Sequence, residues 1–379
     1  MKKTRQLLLS LTLSLAFLLF STPAGGIATY AASCNWHIVS SPNPSTQTIN
    51  DLNAVTAVSA SDIWAVGTAY LHGSYNQAII EHWNGTAWKL VANPPNTFAL
   101  NGIAAISAND IWAVGGAGST VTEHWNGSTW TLVPGPNPSD VSILSGVSAV
   151  ATNNVWAVGH YFDNSNNKRT LVEHWDGKSW SIVASPNVGS NFNALSGVKA
   201  ITANNVWAVG DVYDFHTNVD QTLIEHWDGS VWKVVSTPSI PSAGFSAITA
   251  VTASDMWAVG LILINGGTNT QPLTEHWNGS KWSIVTGPTP YSSFLSGVSA
   301  LSTNNVWAAG TFNSSSGAAS TLVEHWDGTQ WTTVSSPSPA EFNYLNGIVA
   351  ISSTRIWAVG DFQGGMANNI GFTLSETYC

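Results

Sequence analysis

Short stretches in which polar and apolar residues alternate recur along the chain, as in "TWTL" and "SWSI". That period of two is the mark of a half-buried β-strand rather than a helix. Four such stretches make one unit. The first, strand a, reads like "LSGVSAVA", with Ala at the same place in every copy: Ala57, Ala105, Ala149, Ala200, Ala250, Ala300 and Ala350. A tight turn ("SASD", "TANN", "STNN") leads to strand b, "IWAVG". A loop of variable length follows, then strand c, ending in "EHW". An Asn-Gly or Asp-Gly pair, whose residues favour positive φ, predicts a hairpin into strand d. Strand d ends at prolines, which cannot continue a ladder.

The unit recurs. The Trp of "WAVG" or "WAAG" stands at 64, 112, 156, 207, 257, 307 and 357, so the period is close to fifty residues. The strand c Trp (83, 125, 175, 227, 277, 326) and the strand d Trp (36, 88, 130, 180, 232, 282, 331) account for the other indoles, 20 in all. Regular repeats of this length form stacked or circular arrays. Seven units of four antiparallel strands predict an all-β, seven-bladed β-propeller. An open solenoid would need capping repeats, and none is present. The ends support a ring: the chain after the leader begins with a lone strand d at Trp36, and the last unit stops after strand c at "SETYC". The N-terminal strand is therefore expected to complete the last blade.

Composition agrees. With 44% hydrophobic residues, 33 Gly and only 8% charged residues, the chain can bury a large core but lacks the Lys, Glu and Arg that helices favour. Residues 1–31 read as a signal peptide: Lys2, Lys3 and Arg5 precede an apolar run from Leu7 to Phe20, and small residues follow. Residues 32–379 would then be a single propeller domain, secreted or at the cell surface, monomeric, and without a membrane span. Losing three basic residues leaves 8 Lys+Arg against 21 Asp+Glu, a net charge of −13. Such a balance excludes nucleic acid, whose binding rests on cationic patches.

The unit resembles the kelch and galactose-oxidase-like propellers. The copy "DIWAVGGAGSTVTEHWNGSTWTLVPGP" has glycines ending strand b, an aromatic in strand c and a Trp in strand d, although only Gly115-Gly116 supplies the double glycine. The "WAVG" repeats and "D-G-x-x-W" turns are similar to secreted bacterial and photosystem-assembly-type propellers. These likenesses agree on a propeller and disagree on function. Copper-radical chemistry of the galactose-oxidase kind needs a Tyr–Cys crosslink, and the two cysteines here are terminal, so that activity is excluded.

The "EHW" triplet invites a catalytic reading, but a residue found in every blade belongs to the building block. Its Glu (81, 123, 173, 225, 275, 324, 376) is expected to accept a hydrogen bond from an indole or backbone N–H, because so few cations exist. Its Trp should pack between blades, and its His should lie on the opposite face. Asn84, Asn126 and Asn278 match a glycosylation sequon, but Asp takes their place in other copies, which turn chemistry explains.

Local function belongs where the copies disagree. The b–c and d–a loops vary, and in a propeller they share one face. After the "WAVG" glycine stand Thr68, Gly116, His160, Asp211, Leu261, Thr311 and Asp361. The blade-four loop "DVYDFHTNVDQ" adds Tyr213, Asp214 and His216. The candidate ligand-binding set is thus His160, Asp211, Tyr213, Asp214, His216 and Asp361. A calcium site of oxygen ligands is the alternative to a solvated loop there, and no cofactor, metal or catalytic residue is assigned. The expected function is a binding module with a carbohydrate or protein ligand on that face. A glycan hydrolase or lyase built on the asymmetric acids, and a purely structural surface protein, are the alternatives.

Two cysteines, Cys34 and Cys379, bracket the ring. "AASC" faintly matches a lipoprotein box, but the repeat supplies another reading. In the seventh blade the c–d turn is missing, and the two thiols stand where it would be, so a Cys34–Cys379 disulfide is expected.

Overall fold

Strands with inward aliphatic and indole side chains pair as the pattern predicts. The computed structural model describes residues 34–46, 48–71, 76–189, 192–215, 219–364 and 370–379. The expected signal peptide, 1–31, lies outside them. Among the described residues are 28 strands and one short 3-10 turn. They pair as antiparallel groups of four, the last two groups joined by one parallel bridge at Ala319 and Phe342, the architecture of a β-propeller. Blade four is representative: strands a (Phe192–Thr202), b (Asn205–Asp214), c (Val219–Trp227) and d (Trp232–Val234) follow in order. In the seventh group the order is Phe342–Ser352, Arg355–Gln363, Gly371–Tyr378 and then the first described strand, Trp36–Ile38. Trp36 faces Tyr378 across that last pairing, as Trp83 faces Trp88 in the first blade. The seventh blade packs on the first: Trp357 lies 4.8 Å from Trp83 and 5.4 Å from Trp88.

Six seams between blades have this build, and at the sixth–seventh Tyr378 takes the place of the strand c indole, 5.1 Å from Trp307. The strand b Trp of one blade meets the strand c and d Trp of the next, as Trp64 meets Trp125 at 4.9 Å and Trp130 at 5.7 Å. An indole buries roughly 200 Å², worth about 5 kcal/mol before entropy is charged. The His of "EHW" stacks on its own blade's strand b Trp, His82 on Trp64 at 4.2 Å. Its Nε2 meets the turn carboxylate or amide: Asp62 at 2.9 Å, and likewise Asp110, Asn154, Asn205, Asp255 and Asn305. The same oxygen accepts the Trp64 indole N–H at 2.9 Å. The histidines therefore lock turn, strand and ring plane together.

The Glu of the triplet is fully buried in all seven blades, but its expected N–H partners are absent. Glu81 accepts Ser41 Oγ–H at 2.6 Å and Glu123 accepts the Thr97 hydroxyl. At Glu173, Glu225, Glu275, Glu324 and Glu376 neither oxygen has a partner among the described residues. Burial instead raises these carboxyls, Glu225 to about 8, so they stay mostly protonated near neutrality, while Glu123 with its Thr97 partner reaches about 7. A neutral acid is far cheaper to bury than a carboxylate.

Strand a carries a bulge just after its Leu or Phe in every blade, for example between Leu195 and Gly197. The extra residue (Asn53, Asn101, Ser145, Ser196, Ser246, Ser296 or Asn346) is thereby turned into a central channel of about 230 Å³. Neighbouring blades approach closely at the residue that follows: a side chain on Gly197 would meet Ala247 Cα at 3.1 Å. The bulge also explains the glycine of "WAVG". A Cβ on Gly260 would stand 2.1 Å from the Gly244 carbonyl oxygen, with Phe245 Cα at 2.8 Å. Gly260→Ala is expected to destabilise the chain by about 3 kcal/mol, as overpacked cores do. Chemical denaturation measures it, and an unchanged midpoint would contradict this reading.

Candidate functional site

The residue after the strand b glycine is the last one held by ladder before the variable loop, and alternation sets where it points. Trp207 and Val209 pack on blade five, so Asp211 faces the same seam. A side chain on Gly244 of blade five would meet Asp211 Cβ at 3.2 Å. By the same alternation His160 faces blade four and Asp361 faces the first blade. The three ionisable residues read from one sequence column thus occupy three different seams.

At the third–fourth seam, burial and the Lys168 ammonium hold His160 well below its usual value, at about 4, so the ring is neutral. Lys168 Nζ lies 5.9 Å from the Phe192 ring centre. Phe192 continues an aromatic chain, with Phe162 at 5.8 Å and Phe215 at 4.7 Å, and Tyr213 is 5.1 Å from Phe215. Phe215 is 55% exposed. Tyr213 and Asp214 end strand b beneath it. His216 lies outside the described residues. The adjoining blade-three loop is ordered by Asp163, which accepts from Arg169 Nε at 2.9 Å.

At the seventh–first seam Asp361 faces Asp51; burial and then the Asp361 charge raise Asp51 to about 7, and burial raises Asp361 to about 6 against a hydrogen bond from Gln363. Gln363 donates to Asp361 Oδ2 at 3.0 Å. Tyr70 and Tyr344 border the pair, and burial followed by its charge raises both phenols.

At the fourth–fifth seam a cavity of about 220 Å³ opens beside the channel, lined by Asp211, Asp220, Ala243, Phe245 and Leu261 with Ser196 and Ser246. Burial raises Asp211 and Asp220, while Lys168 pulls both back down. Asp220 pairs with Tyr213 and Asp211 with Thr222, so the two carboxylates share one face.

Asp51, Asp220 and Lys168 were not legible as site residues from the strand b column. Asp51 and Asp220 stand among the acids of the variable segments, but their partners come from a neighbouring strand or blade. Among the described residues no group of three or more His, Cys, Asp or Glu could hold a metal ion, and no helix is long and apolar enough to cross a membrane.

No protein-family model matches the chain. No curated protein matches it either. Solved structures do. The WD40 β-propeller domain of Doa1 aligns with a TM-score of 0.58 at 13% identity, over 91% of this chain and 97% of that one. U3-55K gives 0.57 at 12%, over 91% and 98%. YCF48 bound to a D1 peptide gives 0.54 at 15%, over 91% and 94%. At such identities the likeness shows the propeller fold alone.

Proposed function

We propose that this chain is a secreted or cell-surface binding module, a seven-bladed, kelch-like propeller of "WAVG" repeats closed by its N-terminal strand, that takes a protein segment on the face of the b–c and d–a loops. The observation that carries the reading is the asymmetry of that face. The rest of each blade repeats nearly unchanged, whereas this face holds the aromatic chain ending at Phe215, the 58% exposed Tyr291, and unevenly placed carboxylates. Mixed aromatic and charged surface is what protein interfaces use. That YCF48 was solved with a D1 peptide is a precedent on the same fold.

A carbohydrate ligand finds less support, since the strand b and d tryptophans a sugar would stack on are buried between blades. The hydrolase or lyase reading also weakens, because His160, Asp211 and Asp361 belong to different seams. The test is selection of a random-peptide phage library on the chain, run beside a glycan array. Peptides that bind and lose at least tenfold affinity in Phe215→Ala/Tyr291→Ala are the expected result. Glycan binding with no peptide enrichment would overturn it.

A further inference from the structure

The cavity between blades four and five is too small for a typical small-molecule ligand, whose pockets span roughly 300–1,000 Å³, but it accepts one side chain. Its chemistry is divided. Ala243, Phe245 and Leu261 form an apolar wall, and Asp211 and Asp220 stand on it. Neither carboxylate has a hydrogen bond or ion pair among the described residues. This sets the pair apart from Asp163, which Arg169 and Asn167 hold, and from Asp361, which Gln363 holds. Lys168 influences both carboxylates from the third–fourth seam but does not line the cavity, so two negative groups face it against one more distant positive one.

We infer that this cavity receives a lysine or arginine side chain of the bound protein segment, its methylene stem along Phe245 and Leu261 and its cationic head between Asp211 and Asp220. The inference rests on the binding reading above and names the partner's anchor. A long basic side chain fits because it buries its stem while its head finds charge. The raised carboxyls agree, since a bound cation would offset the burial that raises them.

The experiment uses the full chain and the same random-peptide library. Enriched peptides should share a Lys or Arg beside apolar residues, and replacing that residue by norleucine should cost tenfold or more in Kd. Asp220→Asn should cost a similar factor, and the two changes together should cost little more than either alone. Leu261→Phe, which fills the cavity without touching a charge, should weaken basic peptides too, with circular dichroism verifying the fold. Enriched peptides that lack a basic residue, or basic ones unmoved by both variants, would overturn the anchor while leaving the binding module standing. A library with no binder at all would overturn both.

Discussion

Raising the pH from about 5 to 9 is expected to lower the melting temperature of this propeller more than any single substitution does. The cause is the ring of buried glutamic acids. In the folded chain burial holds Glu81, Glu173, Glu225, Glu275, Glu324 and Glu376 at about 8, and Glu123 at about 7, against 4.5 for the free group. A raised folded pKa means that the folded chain keeps protons the unfolded chain has released. Stability is therefore complete below pH 4.5 and lost as pH rises toward 8. Each group protonated only in the folded chain steepens the loss by about 1.4 kcal/mol per pH unit. Histidines work the other way below about pH 6.5. Burial lowers His160, His174, His226 and His325, so the unfolded chain takes up those protons first. The fall is thus shallow in mild acid and steepest between about 6.5 and 8. Differential scanning calorimetry across this range reads it directly. Glu225→Gln should flatten the profile by one group and raise the melting temperature at pH 8. A profile that is flat, or rises with pH, would show that these carboxyls are charged and partnered.

Cutting the Cys34–Cys379 disulfide is expected to have the next largest effect. The bond is formed, with the Cα atoms 4.9 Å apart in space and 345 positions apart in sequence. It stands where other blades have the c–d turn: Asn84 N–H reaches the Ala87 carbonyl there, and Cys379 N–H reaches that of Asn35 here. The seventh blade thus joins the two chain ends through three strand residues, Trp36–Ile38, and this bond. In the chain-entropy model a crosslink over so long a loop contributes roughly 5 kcal/mol, about ten degrees in melting temperature. Cys34→Ser should lose that much while keeping the native tryptophan fluorescence, and reductant should lower the wild type but not the variant. Equal melting temperatures for both would count against the clasp.

The blades were legible because their grammar is local. The Asn-Gly and Asp-Gly turns, the alternation in "SWSI" and the Trp spacing each fix a strand without knowledge of its neighbours. The terminal cysteines could be paired because the missing turn is visible by comparison with six intact ones. What could not be read is whatever depends on the angle between blades. The Glu partners were expected to be indole or backbone N–H groups, yet the structure gives hydroxyls in two blades and protonation elsewhere. One sequence column suggested that His160, Asp211 and Asp361 form a set, but a column runs around the ring, and its members face successive seams. Asp51 joins Asp361 only because the last blade meets the first, a contact between residues 310 positions apart in numbering. Asp220 joins Asp211 by the pairing of two strands that flank a variable loop, where sequence gives no register.

The bulge residues of strand a divide the ring unevenly. Asn346, Asn53 and Asn101 each donate a side-chain N–H to the next blade's carbonyl, at Leu52, Leu100 and Leu144. The other four positions carry Ser, which is too short to span the same gap. Three consecutive joints, from the seventh blade round to the third, are therefore stitched across the channel. Strand a hydroxyls bridge three of the others instead, Ala200 N–H donating to Ser148 Oγ at 3.0 Å, Ala300 N–H to Thr249 Oγ1 at 3.3 Å and Ala350 N–H to Ser299 Oγ at 3.0 Å. The fourth–fifth joint, where Lys199 stands in place of Ser148 and the cavity at Asp211 and Asp220 opens, carries neither kind of bridge among the described residues. Among the described residues, strand a is bridged to its neighbour at every joint but the one where a guest would have to be let in.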